Sequence, residues 1–258
     1  MDLEISSMKI SVITVCKNSA DTIGQTITSV QSQSHKNIEH IFCDGDSTDN
    51  TVDIIRSMGG ENVTLLEGKD DGIYDAINKG IRHATGEVIA ILNSDDFYSH
   101  DKVLENVAEA FDSGVDAVYG DLIYVRPRDT SKVVRYWRTG SYNPQKFLWG
   151  WTVPHPVLFI KKSIYDQHGH YDNSFKIAGD YDLILRLLYK EKISTHYLPE
   201  VMVNMRTGGV SNGSLSKKIK VNREDKRAWK TNNIKPHLFT LWLKPLRKMG
   251  QYFFHKRK

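Results

Sequence analysis

The chain has 258 residues, a net charge of +4, 40% hydrophobic and 26% charged residues, an ordinary globular composition long enough for one large α/β domain or two small ones. No apolar run approaches the roughly 18 residues of a membrane span, and the start MDLEISSMKIS lacks the basic and apolar pattern of a secretory signal. Cys16 and Cys43 stand outside any C-x-x-C or Cys/His cluster and read as reduced, buried thiols of a cytoplasmic protein.

The small net charge hides an asymmetry. Residues 212–258 hold 14 of the 35 Lys and Arg but only two of the 31 acidic residues, Glu224 and Asp225, for a net +12. The preceding residues therefore carry 21 basic and 29 acidic groups, or −8. An acidic body with a basic tail suggests two separate jobs.

Along the chain, KISVITVCK (9–17) is β-branched and apolar, like a buried strand. ADTIGQTITSVQSQ places Ile23, Ile27 and Val30 on one helix face. IEHIFCD (38–44) reads as the second strand, and STDNTVDIIRSM as a helix capped by Ser47 or Asp49. NVTLLEG is a third strand, GIYDAINKGIRHA a helix, EVIAILN a fourth strand, DKVLENVAEAFDSG a helix and VDAVYGDLIYV a fifth strand. Such alternation predicts a mostly parallel, Rossmann-like sheet with helices on both faces, and ligands bound at the strands' C-terminal ends.

Those ends are Val15–Asn18, Asp44–Asp49, Gly68–Gly72 and Asn93–Asp96. There is no G-x-x-x-x-G-K-[ST] loop, no G-x-G-x-x-G turn, no H-E-x-x-H and no G-x-S-x-G elbow. What remains is carboxylates gathered on strand-end loops without basic neighbours in sequence. In VIAILNSDDFYSHDKV (88–103) an apolar run ends on two adjacent aspartates, whose repulsion calls for something opposite them. A hard divalent ion, Mg²⁺ or Mn²⁺, shared with a phosphate suits them. The other reading has Asp96 capping the next helix and Asp95 facing solvent.

SVITVCKN, FCDGDSTDNT, DGIYDAINKGIRHATGEVIAILNSDD and AGDYDLILRL, in this order and spacing, closely resemble family 2 glycosyltransferases of the bacterial capsule, O-antigen and exopolysaccharide type. The resemblance covers roughly residues 8–211. It implies a GT-A fold and a nucleoside-diphosphate sugar donor (UDP, GDP or dTDP) held by Thr14, Cys16, Asn18 and Asp44. Asp44 would select the base; its alternative is an Asx turn, and Asp46 and Asp49 read as turn or cap residues. Asp71, Gly72, Asn78 and Lys79 would meet ribose and phosphates, and Asn93, Ser94 and Asp95 the rest of the donor. The family's Asp-x-Asp motif carries Asn93 in its first place here, which leaves Asp95 as the metal ligand with Asp96 as helper or cap. The family's catalytic base aligns with Asp180, whose alternative is a helix cap. Acceptor-side candidates are Trp151, His155 and Gly209, with Trp137 and Trp149 as further aromatic platforms. The backbone N–H groups of Gly208, Gly209 and Val210 could close over the diphosphate.

VRPRDTSKVVRYWRTG reads as a strand pair around a turn. In AGDYDLILRLLYK a helix buries Leu183, Leu187 and Leu188, and Asp182 is expected to pair with Arg186 on its surface. The division expected is a nucleotide-sugar half (1–125), an acceptor half (126–211) and a basic C-terminal helical tail (212–258). Aromatic, apolar and basic residues interleave in that tail, which suits a bilayer interface; nothing argues for nucleic acid. Its alternative is packing on the catalytic domain. The expected activity is an inverting, metal-dependent transfer of a sugar to the hydroxyl of a lipid-linked glycan at the inner face of the plasma membrane. Two rivals are a sugar-1-phosphate nucleotidylyltransferase, which should carry an N-terminal Gly-rich loop, and a non-catalytic binding protein, which leaves the strand-end aspartates unexplained.

Overall fold

The computed structural model describes residues 8–208, 215–237, 239–240 and 243–244. In chain order its elements are β1 (Ile10–Cys16), α1 (Ile23–Gln31), β2 (Ile38–Asp44), α2 (Thr51–Met58), β3 (Val63–Glu67), α3 (Ile73–His83), β4 (Val88–Ile91), β5 (Phe97–Tyr98) and α4 (Val103–Phe111). There follow β6 (Ala117–Arg126), β7 (Asp129–Trp137), α5 (Gln145–Leu148), β8 (Leu158–Lys161), α6 (Lys162–His168), α7 (Gly179–Ile184), β9 (Thr195–Arg206) and α8 (Leu215–Thr231). A 3₁₀ turn, His155–Val157, leads into β8, and a π-helical stretch, Leu185–Lys190, extends α7.

The strands form one sheet in the order β3-β2-β1-β4-β8-β6-β9-β5, with β7 paired to β6. The first four are parallel, as the strand–helix alternation predicts. Beyond β4 the sheet is mixed: β8 runs antiparallel to both β4 and β6, while β6 and β9 are parallel. β8 thus enters between β4 and β6 in the sense opposite to both, while the segment from β6 to β9, which includes α5, α6 and α7, provides the long crossover that a parallel pair requires. The expected strand pair after residue 120 is the β6–β7 hairpin. The two-residue β5, which pairs with β9, was too short to carry a periodic signal.

Alternation within each strand divides the core between two faces. Ile13, Ile41, Cys43 and Ile91 pack with Ile77 and Ile81 of α3 and Leu183 of α7. Val12, Val88 and Ala90 turn to α4, and Phe42 to Ile23 and Ile27 of α1 and Ile55 of α2. Each such side chain removed from water contributes about 1.5–3 kcal/mol. Leu183, Leu187 and Leu188 are buried as expected. Asp182 is a correction: it is buried and accepts Asn232 Nδ2 at 2.8 Å, while Arg186 donates to the carbonyls of Gly169 and His170. One residue's change of angle on a short helix turns a surface position inward.

The described part of the basic tail belongs to this fold. Ala228 and Trp229 of α8 are fully buried in the α3–α7 core, and Trp229 Nε1 donates to Tyr181 Oη at 3.0 Å. Lys244 Nζ lies 2.7 Å from Asp225 Oδ1, and Thr240 donates to the Leu148 carbonyl at 2.7 Å. A tail that merely reached for lipid would leave Trp229 in solvent. Trp229→Ala should therefore lower the unfolding free energy by about 3–5 kcal/mol, measured by urea denaturation. A change near zero would mean that α8 contributes nothing to the domain.

Candidate active site

The loops after β1 and β2 are tied together before any ligand arrives. Asp44, ending β2, accepts Ser47 N at 2.8 Å and Ser47 Oγ at 2.5 Å, which is the Asx-type turn. Asn18, in the left-handed region at φ 51°, accepts Thr48 N at 2.8 Å and donates its own N–H to Ser47 Oγ at 2.8 Å. Asp49 accepts Thr51 N and Ala20 N, and so serves as the start of α2.

The side chains of Thr14 and Cys16 do not reach the crevice. Thr14 is fully buried with Oγ1 2.9 Å from His40 Nε2, and Cys16 is buried with Sγ 3.6 Å from Asp44 Oδ1. Burial, reinforced by Asp44, pushes the Cys16 thiol far above its ordinary range. Their parity in β1 aims both at the α1–α2 side, so this loop presents backbone rather than those side chains.

On the third loop the polar face of α3 divides in two. Asn78 is buried, donating Nδ2 to the Tyr171 carbonyl at 2.8 Å and to Asn173 Oδ1 at 2.7 Å, and accepting Tyr171 N at 3.0 Å. All its hydrogen-bonding directions but one are filled by the 171–173 segment, so in this structure the side chain ties α3 to that segment. Asp75 joins it by accepting Asn173 Nδ2 at 3.0 Å. Asp71 is exposed, and Gly72 turns the chain into α3 at φ 124°, a conformation that only glycine adopts freely. Lys79 faces Asp70 at 3.6 Å. Asp70, the neighbour of the Asp71 expected at the donor, is half-buried at the head of this loop, and its inward oxygen Oδ2 has no hydrogen-bond partner. Burial raises its carboxyl, against the pull of Lys79. In K-D-D-G nothing local decides which aspartate turns inward.

At the end of β4 the two aspartates separate. Asp96 is fully buried, accepting Asn93 Nδ2 at 2.7 Å and Arg206 N at 3.2 Å. Each of its oxygens accepts one of these bonds, and it is not the cap of α4, which starts at Val103 behind Lys102, so that expectation is corrected. Burial first, and then the charge of Asp95, hold its carboxyl well above the usual range. The side chain of Asp95 takes no side-chain hydrogen bond among the described residues, and burial raises its carboxyl too. The group opposite them is Arg206, at the end of β9. It donates to the Asp95 carbonyl and to Gln25 Oε1, and it lies 5.2 Å from the centre of the Phe97 ring. Ser94 Oγ lies 2.8 Å from Ser19 Oγ and so pins this loop to the first one.

Across the crevice, His155 bridges the two halves. Its Nε2 is 3.4 Å from Asn93 Oδ1 and its Nδ1 3.5 Å from Asp180 Oδ2. The Pro154 and Pro156 that flank it restrict the loop's backbone. Asp180, in the first turn of α7, also accepts Tyr181 N at 2.8 Å. Burial would raise its carboxyl, but His155 and Lys244 outweigh that and hold it below the usual carboxylate range. Trp151 is no platform: it is buried, with Nε1 donating to the Thr139 carbonyl at 2.7 Å and an edge-on contact to Phe147. Trp137 is half-buried, and Trp149, 60% exposed, is the open aromatic of this region. Gly209 and Val210 lie outside the described residues.

Among the described residues no three His, Cys, Asp or Glu side chains gather into a metal cage. The donor set fits a metal only as Mg²⁺ or Mn²⁺ is commonly held, by one protein carboxylate with substrate phosphates completing the shell. Asp95 is the carboxylate free for that.

This mixed sheet with a crevice over its strand ends is of the GT-A class. The whole chain aligns with 79% of the mannosyltransferase PcManGT from Pyrobaculum calidifontis, solved in complex with GDP-Man and Mn²⁺, at TM-score 0.65 and 18% identity. The chain belongs to glycosyl transferase family 2, whose model matches residues 11–169. It is 27% identical over 215 residues, 81% of each chain, to a PGL/p-HBAD biosynthesis glycosyltransferase of Mycobacterium bovis (strain BCG / Pasteur 1173P2). Over 99 residues, 38% of this chain and 39% of the other, it is 36% identical to the Escherichia coli UDP-Glc:alpha-D-GlcNAc-diphosphoundecaprenol beta-1,3-glucosyltransferase WfaP.

Followed by carboxyl ¹³C NMR, Asp180 should ionise below the ordinary aspartate value of about 3.9. His155→Ala removes the largest of the groups that lower it and leaves the burial, so the titration should move to higher pH. An unmoved titration would show that His155 does not govern this carboxylate.

Proposed function

We propose that the protein is an inverting glycosyltransferase that moves a sugar from a nucleoside-diphosphate sugar to a hydroxyl of a lipid-linked glycan in bacterial surface polysaccharide synthesis. The observation that carries this reading is the Asn93–His155–Asp180 chain, which holds an ionised carboxylate across the crevice from Asp95. An inverting transfer needs that and little more on the protein: a base for the acceptor hydroxyl and a charged clamp for the leaving diphosphate. No side chain is required as nucleophile.

In this reading the base and ribose lie over the loops of Asn18, Asp44 and Asp70, with the inward oxygen of Asp70 taking a donor N–H or hydroxyl. Gly72, Asp71 and Lys79 border the same crevice, and Lys79 offsets phosphate charge. Asp95 would hold a divalent ion, which when bound would supply charge stabilisation to the departing diphosphate. Asp180 accepts the hydroxyl proton as oxygen attacks the anomeric carbon from the face opposite the nucleotide. A low pKa is tolerable in such a base, because the hydroxyl acidifies as its bond to carbon forms. His155 keeps the carboxylate ionised and aimed, and Trp149 offers a flat face to an acceptor sugar.

The UDP-glucose and diphosphoundecaprenol in the name of the E. coli relative support a UDP-sugar and a lipid-linked acceptor; the GDP-Man complex keeps GDP open. No described helix is long and apolar enough to cross a membrane. Contact with the inner membrane face is proposed through the exposed Trp149 and Phe239 and through the basic residues Arg247, Lys248, Lys256, Arg257 and Lys258, which lie outside the described residues.

Incubation with UDP-glucose, UDP-GlcNAc and GDP-mannose, each with Mn²⁺, should release nucleoside diphosphate from at least one donor. Asp95→Ala should abolish release and metal-dependent nucleotide binding in a folded protein. Asp180→Asn should keep donor affinity and lose turnover by roughly 10²–10⁴-fold. Pyrophosphate formed from a nucleoside triphosphate and a sugar phosphate would point to a nucleotidylyltransferase, and silence with every donor to a binding protein. In co-sedimentation with anionic vesicles, the full chain should lose binding when those basic residues become alanine; equal binding would leave the membrane reading without support.

A further inference from the structure

Glu224 stands on the half-buried side of α8, in the segment whose composition suggested a lipid-seeking tail. Its carboxylate accepts three consecutive backbone N–H groups: Lys176 N at 3.1 Å through Oε1, and Ile177 N and Ala178 N, each at 2.8 Å, through Oε2. These amides immediately precede α7, whose first turn carries Asp180. Three N–H groups converging on one carboxylate from a distant helix form a set of charge-assisted bonds, each stronger than a neutral one.

The same segment is gripped from its other side. Tyr74 Oη donates to the Ile177 carbonyl at 2.7 Å, Asn78 holds Tyr171 and Asn173, and Lys176 Nζ reaches the Asp71 carbonyl at 3.1 Å. The fit at Gly179 is close: a Cβ there would stand 2.7 Å from the Tyr74 ring. Arg227, one turn beyond Glu224, lies 4.2 Å from the Phe175 ring centre and 3.2 Å from the Ser174 carbonyl. The strap 171–178 is therefore fixed between α3 and α8.

An aspartate in a first helical turn ordinarily folds back onto the free N–H groups of the helix start. Here Glu224 occupies the amides just ahead of the helix. The Oδ2 of Asp180 is left facing His155, and its Oδ1 takes only Tyr181 N.

We propose that Glu224 is a positioning residue for sugar transfer: from α8 it locks the 176–178 backbone and so sets the reach of the Asp180 carboxylate. This rests on the reading of Asp180 as the base. It makes α8 a working part of the catalytic domain, and it assigns a role to one of the two acidic residues in an otherwise basic segment.

The test uses the full chain and whichever of UDP-glucose, UDP-GlcNAc and GDP-mannose it turns over fastest, with nucleoside diphosphate release as readout. Glu224→Ala should lower kcat roughly 10–100-fold, the scale of a 1 Å misplacement of a reacting group. The Kd for the free nucleoside diphosphate should stay within about twofold, because the described hydrogen bonds and ion pairs of α8 do not run to the loops after β1, β2 and β4. Amide exchange at Lys176, Ile177 and Ala178 should quicken. Glu224→Gln keeps the length and one acceptor oxygen but turns an N–H₂ toward Lys176 N, so its loss should be smaller; it also serves if the alanine variant does not fold. Combined with Asp180→Asn, either change should add nothing, since a positioner acts only through the group it positions. Unchanged kcat, a parallel loss of kcat and nucleotide affinity, or multiplying losses in the double variant would overturn the role of Glu224. Near-normal turnover of Asp180→Asn alone would instead overturn the base assignment, and the positioning role with it.

Discussion

The site depends on the strap 171–178 being held from both sides. Asp180 reaches the crevice from the second half of the chain, while the donor loops come from the first, and no strand joins the two halves directly at that point. Their relative placement rests on α3, whose outer edge belongs to the donor side through Lys79 and Asp70 and whose opposite edge grips the strap through Tyr74, Asp75 and Asn78. α3 therefore behaves as a common ruler for the two ends of the reaction. Its close seating on the sheet is what makes that ruler rigid: a Cβ at Gly80 would stand 2.5 Å from Ile13 Cγ2.

The strand-end carboxylates pose the complementary problem, since on the proposed reading a sheet end that attracts a metal–diphosphate also has to stay folded without it. Two adjacent aspartates in this place would repel each other, and the protein resolves the conflict by giving them different environments. Asp96 is drawn inward, where Asn93 and the Arg206 backbone satisfy it; Asp95 is left for a ligand. The guanidinium of Arg206 supplies positive charge beside both, and its bond to Gln25 ties that charge to α1. Asn93, which departs from the family's usual carboxylate, is then more than a missing charge. Its amide N–H₂ binds Asp96 and its oxygen faces His155, so one side chain connects the buried aspartate at the end of β4 to the partner of Asp180. A carboxylate at position 93 could donate to neither aspartate.

Much of this was legible in the residues, and the failures have a common form. Period-2 and period-3.6 patterns located the elements from β1 to α4 except the two-residue β5, and the strand-end rule singled out four loops that lie at the C-terminal ends of β1 to β4. Side-chain direction inside those loops was not legible. Whether Asp70 or Asp71 turns inward, and whether Asn78 faces a nucleotide or the strap, depends on partners as far away as Tyr171 and Asn173, about which local spacing says nothing. Arg206 lies 110 residues beyond Asp96, yet its backbone N–H meets that carboxylate through the β5–β9 pairing, and β5 is two residues long. Trp151 shows the opposite error. An aromatic near an expected sugar site suggests a platform, but an indole needs an acceptor for its N–H when buried, and the Thr139 carbonyl supplies it.

The charge asymmetry of the chain takes on a different meaning once α8 is docked. An acidic body and a basic C-terminal segment are complementary to each other before either meets a partner. The described contacts show part of that attraction satisfied within the molecule, with Arg227 Nη2 3.9 Å from Asp172 Oδ2. The two acidic residues of the segment work in the same direction: Glu224 binds backbone N–H groups of the strap, and Asp225 neutralises Lys244 beside the Tyr181 ring. Lys244 in turn lowers the Asp180 carboxyl from the far side. Charge that composition alone assigns to a membrane thus helps to build the catalytic half. Because α8 holds the strap that carries Asp180, a surface that pulled on this helix would also bear on the base.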